Sequence, residues 1–70
     1  MEESINKLEG AIEAILFSMG EAVPIKELAK ALEVDEPTLE KVLNNMMDKY
    51  EAEDRGIKLV KLEDSYLLCT

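Results

Sequence analysis

Apolar residues recur at three- and four-residue steps through the first part of the chain. Ile5, Leu8, Ile12, Ile15, Leu16 and Met19 fall on one helical stripe, which predicts a helix over residues 4–19. Ser4 stands where an N-cap belongs, and Glu2 and Glu3 suit the positive end of the helix dipole. Gly20 follows the last apolar position, as expected of a left-handed helix end. Phe17 lies off the stripe, near Ala14 and Gly10, and gives the helix a second, smaller apolar face. Two readings of that face are open. Phe17 tucks under the following loop, or it meets a partner that the small residues Gly10, Ala11 and Ala14 allow to approach closely.

Pro24 favours an extended residue before it, so Val23 is expected in a very short strand, with Pro24 in the first turn of a second helix. That helix carries Ile25, Leu28, Ala29 and Leu32 on one face and Lys26, Glu27, Lys30 and Glu33 on the other. Val34 and Asp35 make a tight turn. Asp35 is placed to cap a third helix, with Pro37 in its first turn. Leu39, Val42, Leu43, Met46 and Tyr50 form its apolar stripe, with Met47 at the edge, and the helix is expected to reach Tyr50 or Glu53.

After Gly56 the period changes. Residues 57–62 and 66–70 are rich in strand formers and flank the turn Glu63-Asp64-Ser65, which predicts a hairpin. Leu59 and Val60 are adjacent, as are Leu67 and Leu68, so both faces of the hairpin are expected to meet apolar groups. Helix, short strand, helix, tight turn, helix and hairpin make a mainly α fold with a small β-hairpin. This is a winged helix-turn-helix of three helices plus a wing. A plain three-helix bundle with an ordered tail is the alternative, and the β character after Gly56 argues against it. The second strand runs to Thr70, and a domain seldom stops inside a strand. The expectation is therefore a single winged-helix domain over residues 1–70, as the N-terminal half of a longer two-domain protein.

Length and composition narrow the function. At 70 residues the chain supports one domain. Cys69 is the lone cysteine and histidine is absent. This rules out an internal disulfide and the usual zinc ligand sets, and it suits a reducing cytosol. No apolar run approaches the ~18 residues that span a membrane, and the acidic Met1-Glu2-Glu3-Ser4 start is unlike a signal peptide. A cytoplasmic protein is expected.

Without histidine, Ser4, Ser18 and Ser65 have no imidazole base. Gly10, Gly20 and Gly56 are isolated and form no phosphate loop. Asp35-Glu36 and Glu51-Glu53-Asp54 lack calcium-loop spacing. Neither an enzyme nor a cofactor is expected. The net charge is −8, and its distribution disfavours nucleic acid. The third helix exposes Glu36, Glu40, Lys41, Asn44, Asn45, Asp48 and Lys49. Asn44 and Asn45 could read adenine edges, but carboxylates surround them. The candidate phosphate contacts, Lys26, Lys30, Arg55, Lys58 and Lys61, are diluted by Glu27, Glu33, Glu63 and Asp64. Direct DNA binding is not expected, and a winged-helix transcriptional regulator is the alternative. The candidate partner or dimer contacts are Ala14, Phe17, Met47 and Tyr50.

Residues 13–17 (Glu-Ala-Ile-Leu-Phe), then Gly20-Glu21-Ala22-Val23 and Glu27-Leu28-Ala29, resemble the opening of the bacterial segregation and condensation protein B family. Arg55-Gly56-Ile57-Lys58-Leu59-Val60 extends the likeness, with Tyr66, Leu68 and Thr70 closing the hairpin. The resemblance spans residues 5–70. It implies the first of two tandem winged-helix domains, with no catalytic residues to carry over. It implies a homodimer that binds a kleisin, segregation and condensation protein A. Through the kleisin it would reach the structural-maintenance-of-chromosomes ATPase, in chromosome condensation and segregation during cell division. The turn Glu63-Asp64-Ser65 departs from the family, in which glycine is common there.

Overall fold

Three helices and three strands make up the computed structural model, which describes residues 2–54 and 56–69, with side chains from residue 6 onward. Helix α1 spans Glu2–Met19, strand β1 Val23–Pro24, α2 Ile25–Leu32 and α3 Glu36–Glu53. Strands β2 (Lys58–Leu62) and β3 (Ser65–Cys69) form the hairpin. The winged-helix order is the one expected. The expected roles of Arg55 and Thr70, and the side chain of Ile5, lie outside the described residues.

Capping chemistry sets most of the helix boundaries. Gly20 has φ +66° and donates its N–H to the Leu16 carbonyl at 3.3 Å, closing α1. At the other end the helix starts two residues earlier than expected, so Ser4 lies inside α1 instead of capping it. Pro24 also shifts by one position. It is the N-cap of α2 with extended backbone, so its ring precedes the first turn. Helix α2 ends on Glu33 in the left-handed conformation, and Val34 donates back to the Ala29 carbonyl. Asp35 caps α3 as expected. Its carboxylate accepts from the Thr38 N–H at 3.0 Å and the Thr38 hydroxyl at 2.8 Å, and Pro37 occupies the first turn. Those two bonds, the hydroxyl's first, lower the Asp35 carboxyl below its ordinary 3.8.

The core lies where the three helices meet the inner face of the sheet. Ile12, Leu16, Leu28, Leu39, Leu43, Met46 and Tyr66 are essentially sealed from solvent. The expected stripes of α2 and α3 are buried or half-buried. In α1 the buried line runs Leu8, Ile12, Leu16 at four-residue steps, with Ile15 beside it. Met19, expected on that stripe, is exposed: it follows Ile15 along the flank of the line, in the helix's last turn.

The sheet order is β1-β3-β2, antiparallel throughout. Val23 pairs with Tyr66, and Leu59 with Leu68. The hairpin turn is two residues, Glu63 and Asp64, and Ser65 belongs to β3 rather than to the turn. Glu63 adopts φ +60°, a conformation that glycine takes more readily. The adjacent apolar pairs on the strands now have distinct places. Leu59 and Tyr66 are buried on the inner face, while Val60, Leu62 and Leu67 lie on the outer one.

Candidate functional site

Helix α1 joins α3 through two polar contacts. The Lys49 Nζ lies 3.0 Å from Glu9 Oε1 and 3.3 Å from Oε2, and the Tyr50 hydroxyl donates to Glu13. Residues 9 and 13 stand one turn apart on α1, opposite adjacent residues of α3, so the two contacts fix the relative register of the helices. This arrangement decides where the candidate contacts fall. Glu9 and Glu13 turn toward α3; Phe17 follows them on the same row of α1, one turn beyond Glu13, with Ala14 beside it.

Phe17 is 75% exposed. The reading in which it tucks under the following loop is thereby overturned. Gly20 turns the chain at once toward β1, and Glu21 and Ala22 do not cover the ring. Ala14, one turn earlier, is exposed too, as are Gly10 and Met19. The second apolar face of α1 is therefore open to solvent.

Met47 and Tyr50 divide. Met47 is half-buried, whereas Tyr50 is buried to 6% and belongs to the core, with its hydroxyl committed to Glu13. The position of Tyr50 on the α3 stripe points it inward, and it also lines a groove. That groove, about 500 Å3 in volume, runs between the last turns of α3 and the start of β2. Met47, Tyr50, Glu51 and Asp54 line the helix side, and Gly56 to Val60 line the strand side. Neither Ala14 nor Phe17 borders it, so the four candidates form two separate surfaces. Periodicity alone missed this groove, because its walls come from a helix and a strand whose approach no local pattern encodes.

Two of the lysines have acidic or aromatic neighbours. Lys49 is held by Glu9, and Lys61 approaches Glu40 at 4.0 Å and the Tyr66 ring at 5.9 Å. The exposed face of α3 presents Glu36, Glu40, Asp48 and Glu51 around Asn44 and Asn45. Among the described residues no group of three or more potential ligands is placed to hold a metal ion, and no helix is long and apolar enough to cross a membrane.

A protein-family model described as segregation and condensation complex subunit ScpB matches residues 10–70. The chain belongs to this family. It is 53% identical over 66 residues to the segregation and condensation protein B of Lachnoclostridium phytofermentans, a match covering 94% of this chain and 35% of that protein. The protein of the same name from Caldanaerobacter subterraneus is 47% identical over 62 residues, with 89% of this chain and 37% of the relative covered. The chain thus spans about a third of the length of these relatives. Among solved structures it is similar to a dimer of the ScpB N-terminal domain complexed with ScpA peptide. That match has a TM-score of 0.88 and 31% identity over 96% of this chain and 84% of the other. ScpB from Mycobacterium tuberculosis superposes with the same TM-score at 26% identity, over 94% of this chain and 41% of the other. The likeness reported for the sequence and the observed fold therefore agree with both comparisons.

Proposed function

We propose that this domain is a non-catalytic interaction module of a bacterial condensin-like complex. In this reading it is one winged-helix unit of a longer cytoplasmic protein. It pairs with a second copy and binds the kleisin segregation and condensation protein A. Through the kleisin it acts with the structural-maintenance-of-chromosomes ATPase in chromosome condensation and segregation.

The observation that carries the reading is the similarity to a homologous N-terminal domain that is itself a dimer in complex with an ScpA peptide, over 96% of this chain. The open α1 face supports it independently. Phe17 presents an exposed ring beside Ala14, with a small-residue approach at Gly10, a surface on which an apolar partner would find area to cover. Net charge −8 opposes a nucleic-acid partner.

Light scattering over a concentration series, followed by titration with the kleisin's central segment, tests the proposal. A dimer that takes up the segment is expected. A strict monomer at high concentration that ignores the kleisin overturns it.

A further inference from the structure

The groove beside β2 has a feature that an ordinary surface cleft lacks. Lys58, Leu59 and Val60 are consecutive in β2, with Ile57 just before it, and consecutive side chains of a strand point to opposite faces of the sheet. All three nevertheless border the same cavity. A cavity lying along the edge of the strand borders residues of both faces in this way. The opposite edge of β2 is taken by β3. Antiparallel pairing uses the backbone groups of every second residue, so the N–H and C=O groups between them face the groove.

The facing wall is one side of α3, at spacings of three and four residues: Met47, Tyr50, Glu51 and Asp54. Apolar surface comes from Met47, Ile57, Leu59 and Val60, and the exposed carboxylates of Glu51 and Asp54 line the groove against one exposed ammonium, that of Lys58. At Gly56 nothing lies within 4 Å of where a Cβ would stand, which leaves the mouth open.

We propose that this groove takes an extended peptide of another protein, added to the sheet as a fourth strand on the free edge of β2. One apolar side chain of the peptide packs between Met47 and Leu59, and a lysine or arginine beside it pairs with Glu51 and Asp54. Strand addition supplies affinity through the backbone, and the groove selects alternate side chains. Charge chooses the occupant. The charged lining, Glu51 and Asp54 against Lys58, is negative in balance, so a basic peptide is attracted and an acidic one repelled. The inference rests on the domain being a protein-binding module but uses a surface separate from the α1 face.

The test titrates the isotope-labelled chain with the blocked peptide Lys-Val-Lys-Leu-Lys-Val, followed by amide chemical shifts. Two control peptides replace lysine with glutamate or carry N-methyl groups on alternate amides. The lysine peptide is expected to shift the amides of Ile57 to Val60 and of the last turns of α3. The glutamate peptide is expected to bind at least about tenfold more weakly, and the N-methylated peptide not at all. Combined Glu51→Lys and Asp54→Lys substitutions, both at exposed positions, reverse the preference between lysine and glutamate peptides. Absence of binding up to about 1 mM, equal binding of the N-methylated peptide, shifts mapping elsewhere, or an unreversed preference each overturn the proposal. Phe17→Ser leaves the titration unchanged. A failed titration with self-association intact therefore removes the groove alone, and loss of both removes the interaction-module reading.

Discussion

Two neighbouring residues of α1 separate folding from association. Leu16 is 1% exposed and Phe17 is 75% exposed, although they are adjacent in the chain. Phenylalanine buries about 200 Å2 when covered, so Phe17 retains about 150 Å2 for a partner. At about 25 cal/mol per Å2 that area is worth about 4 kcal/mol per copy, an upper bound for removing the ring. Interface hot spots commonly give about 2 kcal/mol or more on truncation, so Phe17→Ser is expected to weaken self-association by roughly two orders of magnitude. The isolated domain loses little by the change, because the ring lies mostly in water. Its unfolding free energy at dilution is expected to hold within about 0.5 kcal/mol.

Leu16→Ala is the counterpart. It opens a cavity in the core and is expected to cost about 2–5 kcal/mol. That is comparable with the total stability of a domain this small, about 3–10 kcal/mol. Sedimentation equilibrium reads association and thermal melting at low concentration reads the fold. Phe17→Ser that melts like Leu16→Ala, or that leaves the dissociation constant unchanged, refutes the reasoning.

Three further outcomes follow from local chemistry. Tyr50→Phe removes a hydroxyl from the Glu13 carboxylate and is expected to cost about 1.5–3 kcal/mol. Lys49→Ala, at an exposed ion pair, costs under about 1 kcal/mol, and chemical denaturation distinguishes the two. Glu63→Gly relieves a left-handed glutamate at φ +60°. After allowance for the greater freedom of glycine in the unfolded chain, it is expected to stabilise by roughly 0.5–1 kcal/mol. Asp35→Ala lowers the melting temperature at neutral pH. Because the folded carboxyl titrates below its ordinary 3.8, the cap contributes fully above that value. Its contribution is lost as pH falls through the folded value, so melts of the two proteins converge in acid.

The helices, and the caps at Gly20 and Asp35, were legible because they depend on neighbours in sequence, whereas Ser4 and Pro24 fell in other positions than their local pattern suggested. The Leu39-to-Tyr50 stripe, the Asp35 cap and the Gly20 stop all follow from spacings of four residues or fewer. Other features that failed or stayed open depend on distant partners. Spacing showed that Phe17 leaves the stripe, but only the direct path from Gly20 into β1 decides that no loop covers it. Tyr50 satisfied the core pattern and the contact list alike until Glu13 claimed its hydroxyl across 37 positions. The Glu9–Lys49 pair spans 40 positions, and no local periodicity encodes it. Membership of the family was legible from a scattered set of residues kept in order. The separation of the candidate contacts into an α1 face and a β2 groove needed the fold.

The central position of β3 also fixes a timetable for synthesis. β1 and β2 do not pair with each other; each pairs with β3. No strand pair can therefore form until the ribosome has released the residues around Tyr66, long after all three helices have emerged. Until then Val23 and Leu59 have no sheet to join, and the helices hold an incomplete core with the place of Tyr66 unfilled. Both strand pairs thus wait for the same segment, the kind of non-local contact whose delay leaves apolar surface open to chaperones and proteases.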